Sequence, residues 1–404
     1  MRILHVYRTY FPDSQGGLEE VIRQICINSA DHGVESRVFT LSKQHKTPVI
    51  NREEAQVFRA SLDAELASCS MSLRALGKFK AQVEWADLIH YHFPWPFADF
   101  LHFATRVDKP SVVTYHSDIV RQRALGALYT PLMNRFLSSM DRIICTSPNY
   151  FATSNTLSKF SDKVDIVPIG LNESSYPTLD PSIEESVEAA YGSNYFLFVG
   201  VLRYYKGLHI LLDAIRGADF NVVIVGSGPT ETELRDQARS ANLKNVNLAG
   251  YVDEKTKVAL FKKATGVVFP SYLRSEAFGV TLLEGAMYER PLISTEVGSG
   301  TSHVNIQGET GYVVTPGSAQ ELREAMDRLN DAPDIARLFG KRARERYERL
   351  FTGELMGARY AQIYRQILNV KGETSGAIGL PQVHLPPLTL SATSATEQRT
   401  SGGS

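Results

Sequence analysis

At 404 residues, 43% hydrophobic and 22% charged, the chain has the composition of a soluble globular protein and the length for two domains of ordinary size. A formal net charge of -1 argues against nucleic acid as a partner, because that class needs a concentrated basic surface. Cys26, Cys69 and Cys145 lie far apart without a C-x2-C pair, which speaks against a disulfide framework or a structural zinc site and for a reducing compartment.

The amino terminus moves from Met1 directly into a strand pattern, without the apolar stretch of roughly 7–15 residues that marks a secretory signal. No run of about 18 apolar residues occurs later, so the expected location is cytoplasmic. Short β-branched runs alternate with helical stretches: Ile3 to Tyr7, Arg37 to Thr40, Leu88 to His92, Ser111 to His116, Arg142 to Thr146 and Val164 to Pro168. This alternation predicts parallel strands. After the first of them, Gly16 and Gly17 close a loop from Phe11 and precede a helix beginning near Glu19. Paired glycines let backbone amides approach a phosphate, although taken alone a plain turn is the commoner reason for them. His116 ends the Ser111 strand, at the edge where open parallel sheets meet ligands. With ten histidines in the chain, a structural, hydrogen-bonded role is the plainer alternative. Asp118 is placed either to orient His116 or to meet an acceptor. The segment Arg121 to Tyr129 mixes basic and apolar residues in the manner of an interfacial helix, a pattern shared by surface helices packed on their own sheet.

A polar stretch rich in Ser, Glu and Pro, from Asn172 to Ser193, predicts an interdomain linker and divides residues 1–172 from 173–351. The strand pattern then restarts at Tyr195 to Val199, Asn221 to Val225, Val246 to Ala249, Gly266 to Phe269 and Pro291 to Ser294. Two such series imply two doubly wound sheets with ligands held beyond the carboxyl ends of their strands. Gly200 to Gly207 follows a strand directly and sets Arg203 and Lys206 at that end. The turn at Gly226 lacks the third glycine of a G-x-G-x-x-G fingerprint, which argues against a dinucleotide-dependent oxidoreductase. In the stretch Pro270 to Gly300, Glu276 falls in a loop, Gly279 breaks it, and Val280 to Tyr288 has helical composition with Glu284 on the second turn. Both carboxylates are then expected to face one crevice about 10–12 Å apart, with the uncapped amides of Phe278, Gly279 and Val280 between them as a diphosphate cradle. Apolar residues from Leu355 to Leu368 recur at helical spacing and predict an amphipathic helix over 352–371. The Ser/Thr/Gly/Pro-rich segment 372–404 predicts a disordered tail.

The seven residues between Glu276 and Glu284, in this apolar setting, resemble the E-x7-E signature of the retaining glycosyltransferases of family 4. The spacing of Lys206 from Gly200 is similar to the same family's G-R-x-x-x-x-K-G pattern, with Val201 in place of its arginine. The resemblance implies an α/β protein of GT-B architecture: two facing Rossmann-like, doubly wound domains, an interdomain cleft, and a carboxy-terminal helix crossing back onto the first domain. It implies an acceptor domain followed by a nucleotide-sugar domain. It assigns Glu276 to the donor sugar, Glu284 to the ribose, His116 to the transferred sugar, and Gly16 and Gly17 to a phosphate. Gly226 becomes the turn beneath the nucleoside, and Lys206 and Arg203 neutralise the leaving diphosphate.

No cofactor is expected, since the nucleotide sugar is itself a substrate. The chain holds no Asp-x-Asp pair, and with the helix amides and Lys206 available this predicts chemistry without a divalent metal. The segments Tyr115 to Asp118 and Arg203 to Gly207 look most like bacterial mannosyl- and rhamnosyltransferases of surface-polysaccharide (O-antigen) assembly. They imply a GDP-linked donor such as GDP-mannose and a saccharide or lipid-linked saccharide acceptor, met by peripheral contact at the inner membrane face. A UDP-hexose or GDP-rhamnose donor stays open, as does a non-catalytic sugar-nucleotide-binding protein, suggested by Val201.

Overall fold

The computed structural model describes residues 1–44, 46–66, 69–119 and 123–369, leaving aside the side chains of 66 and 123–127. The tail 372–404 lies outside the described residues, and so do positions 121–122 of the expected interfacial segment 121–129, whose side chains are described only at 128 and 129. The first domain contributes strands β1 (Arg2–Val6), β2 (Glu35–Ser42), β3 (Val49–Asn51), β4 (Gln56–Ser61), β5 (Ala64–Leu66), β6 (Cys69–Met71), β7 (Leu88–Phe93), β8 (Ser111–Tyr115), β9 (Arg142–Cys145) and β10 (Val164–Ile166). The second contributes β11 (Tyr195–Val199), β12 (Asn221–Val225), β13 (Val246–Gly250), β14 (Gly266–Phe269), β15 (Leu292–Thr295) and β16 (Gly311–Val314).

The first sheet runs β10-β9-β8-β7-β1-β2-β4-β3 and the second β13-β12-β11-β14-β15-β16. Every pairing is parallel except β3 with β4, while β5 and β6 form a separate antiparallel pair. Helices cover both faces, so the central strands are buried on both; all four residues of β14 are buried, for example. The strand order reverses beside β1 in the first sheet and beside β11 in the second. At such a switch point the flanking loops diverge and leave a crevice at the carboxyl ends of the strands. The loops after β1 and β11 are those that carry Gly16, Gly17, Arg203 and Lys206.

The stretch expected to be a linker is partly helical. Asp180 accepts a bond from the Ser182 amide, Pro181 occupies the first helical position, and the helix Pro181–Tyr191 packs on the helix Glu254–Lys263 of the second domain. Its Ser, Glu and Pro content, read as linker composition, is that of a capped amphipathic helix whose Val187 is buried.

The helix Gly353–Leu368 does cross back. Thr352 caps it by accepting the Leu355 amide, and it packs along the first domain's helix Gly17–Ala30. Gly353 and Gly357, one turn apart, make the approach close: a Cβ at Gly357 would lie 2.2 Å from the backbone oxygen of Asn28. Further along, the hydroxyls of Tyr364 and Tyr360 reach His90 Nδ1 at 2.7 Å and Thr114 Oγ1 at 3.0 Å. We expect Gly357→Ala to destabilise the protein by about 1–3 kcal/mol through overpacking, despite alanine's better helix propensity. Urea unfolding checks this, and an unchanged midpoint would mean that the two helices can separate freely. Among the described residues, no helix is long and apolar enough to cross a membrane.

Candidate active site

Between the two domains lies a cleft of 680 Å³ bordered by loops from both sheets. On the first domain's side the chain leaves β1 through Tyr7 and Arg8 and returns at Gly16, the extended residue (φ -156) that precedes the helix Gly17–Ala30. Glu19, in the first turn, is 7% exposed and fixes this loop by accepting bonds from the hydroxyls of Thr9 (2.8 Å) and Ser14. Its charge also suits the positive end of the helix. Gly17 faces the opposite wall, where a Cβ would come 3.8 Å from Val280 Cγ2.

On the second domain's side, β14 ends in the loop that carries Glu276, and the helix Val280–Met287 begins after Gly279. Gly279 has φ 89, a left-handed conformation that glycine adopts without strain, and no side chain caps the helix. The first amides therefore remain available at the cleft edge. Lys206 follows β11 in a short 3-10 turn, and its Nζ lies 2.5 Å from Glu276 Oε2 and 4.5 Å from the centre of the Phe269 ring. Ser271 donates to the same carboxylate oxygen at 3.1 Å. Both members of the pair are largely screened from solvent, at 12% and 10% side-chain exposure. An ammonium is thus stored beside the helix amides with its charge balanced by a carboxylate.

Of the sequence-predicted residues, Gly16, Gly17, His116, Arg203, Lys206, Glu276, Phe278, Gly279 and Val280 all border this cleft. Glu284 and Gly226 do not. Glu284 stands on the second turn as expected, but its carboxylate meets Lys257 Nζ at 2.9 Å and the Tyr176 hydroxyl at 3.2 Å. A carboxylate only 5% exposed needs such partners. Burial pushes its pKa up and Lys257 opposes that push. Burial alone would depress Lys257, but the carboxylates of Glu284 and Glu254, each 2.9 Å away, raise it. Gly226 lies below, with its amide bonded to Gly250 O at 2.7 Å and its backbone against Gly200.

His116 borders the cleft at 4% exposure, and burial pushes its pKa down to about 3, so the ring is neutral at physiological pH. Its orienting partner is His92, whose Nδ1 is 3.1 Å from His116 Nε2. Asp118 does not orient it. The Asp118 carboxylate accepts from Tyr115 (2.8 Å) and Ser154 (2.9 Å) and pairs with Arg274 of the second domain at 3.1 Å. Arg274 stacks over Tyr150 at 4.4 Å, binds Gly298 O at 2.8 Å and also contacts Thr153, making a joint between the domains at one end of the cleft. Asn149 to Ser302, at 3.0 Å, adds to it.

Sequence reasoning missed Arg8, Tyr205 and Arg274. Arg8 was findable as the first cation beyond the end of β1, and Tyr205 lies between two residues that were singled out. Arg274 had no local signal, because its partners Asp118, Tyr150 and Thr153 are more than a hundred positions away. Chemically, the cleft offers two helix starts, the cations Arg8, Lys43, Arg203 and Lys206 on its walls, and the neutral His116. That combination suits an anionic leaving group attached to a polar, uncharged moiety.

Comparison with known proteins agrees with this geometry. A family model described as Glycosyltransferase Family 4 matches residues 15–175, and one described as Glycosyl transferases group 1 matches residues 181–346. The chain is 50% identical over 352 residues to the D-rhamnosyltransferase WbpZ of Pseudomonas aeruginosa, covering 87% of this chain and 92% of that one. It is 46% identical over 371 residues to the O-antigen chain mannosyltransferase C of Escherichia coli, covering 92% and 100%. Among solved structures it resembles a sucrose-phosphate synthase from Thermosynechococcus elongatus, with a TM-score of 0.78, 22% identity and coverage of 92% and 100%. It also resembles Anabaena HepE in complex with UDP and glucose, with a TM-score of 0.70, 19% identity and coverage of 90% and 98%.

Proposed function

The chain belongs to the family 4 glycosyltransferases of GT-B architecture, and on that premise we propose that it moves mannose from GDP-mannose, with retention, onto a saccharide or lipid-linked saccharide in O-antigen-type polysaccharide biosynthesis. The observation that carries this reading is the Lys206 ammonium held beside Glu276 at the open end of the helix Val280–Met287. Breaking the glycosidic phosphate bond leaves positive charge on the anomeric carbon and adds negative charge to the departing diphosphate. Lys206, Arg203 and the helix amides meet that growing anion. The same set supplies charge neutralisation without a divalent ion.

In this scheme the acceptor attacks from the face the nucleotide leaves, and the departing phosphate takes its proton. Glu276 holds the donor sugar, and Glu284, whose carboxylate is engaged by Lys257 and Tyr176 outside the cleft, would have to leave them to receive the ribose. Gly16 and Gly17 present amides to a phosphate, and Gly226 supports the nucleoside from below. With a lipid-linked acceptor, the reaction takes place at the inner face of the membrane, with the protein docked peripherally from the cytoplasm. The mannosyl assignment draws on the 46% identical mannosyltransferase, which the chain covers end to end. The 50% identical rhamnosyltransferase favours a second reading, GDP-rhamnose at the same site.

A thermal-shift panel of GDP-, UDP- and dTDP-sugars, followed by donor hydrolysis with and without EDTA, separates these readings, because a ligand bound to the native state raises its apparent stability. We expect GDP-mannose to give the largest shift and EDTA to leave turnover unchanged. Turnover of UDP-glucose with GDP-mannose untouched would overturn the donor assignment.

A further inference from the structure

One face of the first sheet, beneath the cleft, carries a row of polar side chains. Residues two apart on a strand share a face, and the register pairs His5 with His90 and His92 with Thr114, so all four lie together with His116 beyond the end of β8. His90 bonds to Tyr364 and Thr114 and anchors the carboxy-terminal helix. The other three rings form a separate chain. His5 Nδ1 is 3.1 Å from His92 Nε2, and His92 Nδ1 is 3.1 Å from His116 Nε2. Both steps are stacked, with ring centroids 5.4 Å apart. His5 and His92 are fully enclosed, and only His116 reaches the cleft.

Burial keeps the rings neutral, pushing His5 and His116 down to about 3 and His92 well below its ordinary value. A neutral imidazole has one N–H and one bare nitrogen, so rings bonded in series must adopt tautomers in step. Fixing one end fixes the other. The inner end is His5 Nε2, which is buried without a hydrogen-bond partner. A donor N–H stranded inside a protein is the arrangement that native structures avoid most strongly. His5 Nε2 is then the bare nitrogen and Nδ1 bears the hydrogen. His5 donates to His92 Nε2, His92 donates through Nδ1 to His116 Nε2, and His116 is left with its hydrogen on Nδ1.

We propose that His5 and His92 are positioning residues that lock His116 as the Nδ1–H tautomer, making it a hydrogen-bond donor toward a hydroxyl oxygen of the bound sugar. The identity of that ligand rests on the reading of the cleft given above, whereas the tautomer does not. The chain explains why two histidines occupy a sheet interior where apolar residues would pack with less cost. They transmit a choice of donor or acceptor from the core to the substrate.

The test is a long-range proton–nitrogen correlation spectrum of the full-length protein labelled with 15N-histidine. His116 is expected to show a protonated-type Nδ1 and an unprotonated-type Nε2. His92→Glu puts an acceptor where the donating Nδ1 stood, so His116 should swap to the Nε2–H form. The kcat/KM for the donor should fall about tenfold, the loss of one hydrogen bond. In His92→Phe an apolar ring faces His116, so Nε2 should stay bare and Nδ1–H be retained. A wild-type His116 protonated on Nε2, or a His92→Glu variant that retains Nδ1–H, would overturn the proposal. Where the variants do not fold, the wild-type spectrum decides alone. If no sugar nucleotide binds, the reading of the cleft fails while the tautomer result still stands.

Discussion

Replacing Lys206 by alanine is expected to lower kcat by about 10²–10³-fold while donor affinity changes by less than about tenfold. The asymmetry follows from the ion pair. Before reaction, the ammonium is already balanced by Glu276 at 2.5 Å, so the ground-state diphosphate gains only a share of its charge. As the bond to the sugar breaks, the phosphate acquires a further negative charge and outcompetes the carboxylate for the same ammonium. The lysine thereby contributes chiefly in the transition state. Single-turnover rates combined with calorimetric donor binding measure the two losses separately. Equal losses would mean that Lys206 binds substrate and transition state alike, and the assignment to the leaving group would fail.

The second large effect is expected on stability. In Lys257→Met, the carboxylate of Glu284 loses its cation and keeps only the Tyr176 hydroxyl, an uncompensated buried charge that should cost about 3–5 kcal/mol at pH 7. The sign of the pH dependence is fixed. Burial raises the Glu284 pKa in the folded protein, so the native state holds a proton more tightly than the unfolded chain. The penalty is then complete above the raised value, shrinks as pH falls through it, and is gone below the ordinary carboxylate value of 4.5, where both states are protonated. Urea unfolding of wild type and variant at pH 7 and pH 5 should show the deficit shrinking at the lower pH. A deficit that is constant or larger at pH 5 would show that packing of the lysine stem, and not the stranded carboxylate, accounts for it.

Long-range chemistry was the least legible part of the sequence. The strands that hold the cleft, β1, β7, β8, β11, β12 and β14, were readable because parallel strands covered on both faces become unbroken β-branched or aromatic runs such as Tyr195 to Val199. The short β3, β5 and β6 were not, since three residues among charged and polar neighbours make no periodic signal. Nor was β16, whose four residues start at Gly311 and end at the Thr-Pro-Gly turn that follows. For the site, residues named through local motifs reached the cleft, while Glu284 turned to Lys257, a partner 27 positions away that no motif includes. The pair of Asp118 and Arg274 spans 156 positions, and the ring chain from His5 to His116 joins three separate strands. In both cases the residues were visible, but only the register of the folded sheets says which of them meet.

The recrossing helix has a consequence for how the protein is made. Gly353–Leu368 packs on a helix that begins at Gly17, so a groove on the first lobe waits for residues encoded more than three hundred positions later. A nascent chain whose first half has left the ribosome therefore cannot complete that half's core, because Tyr360 and Tyr364 have yet to be translated. The amino-terminal lobe finishes maturing only after its companion lobe has been synthesised, and the two acquire their final form together.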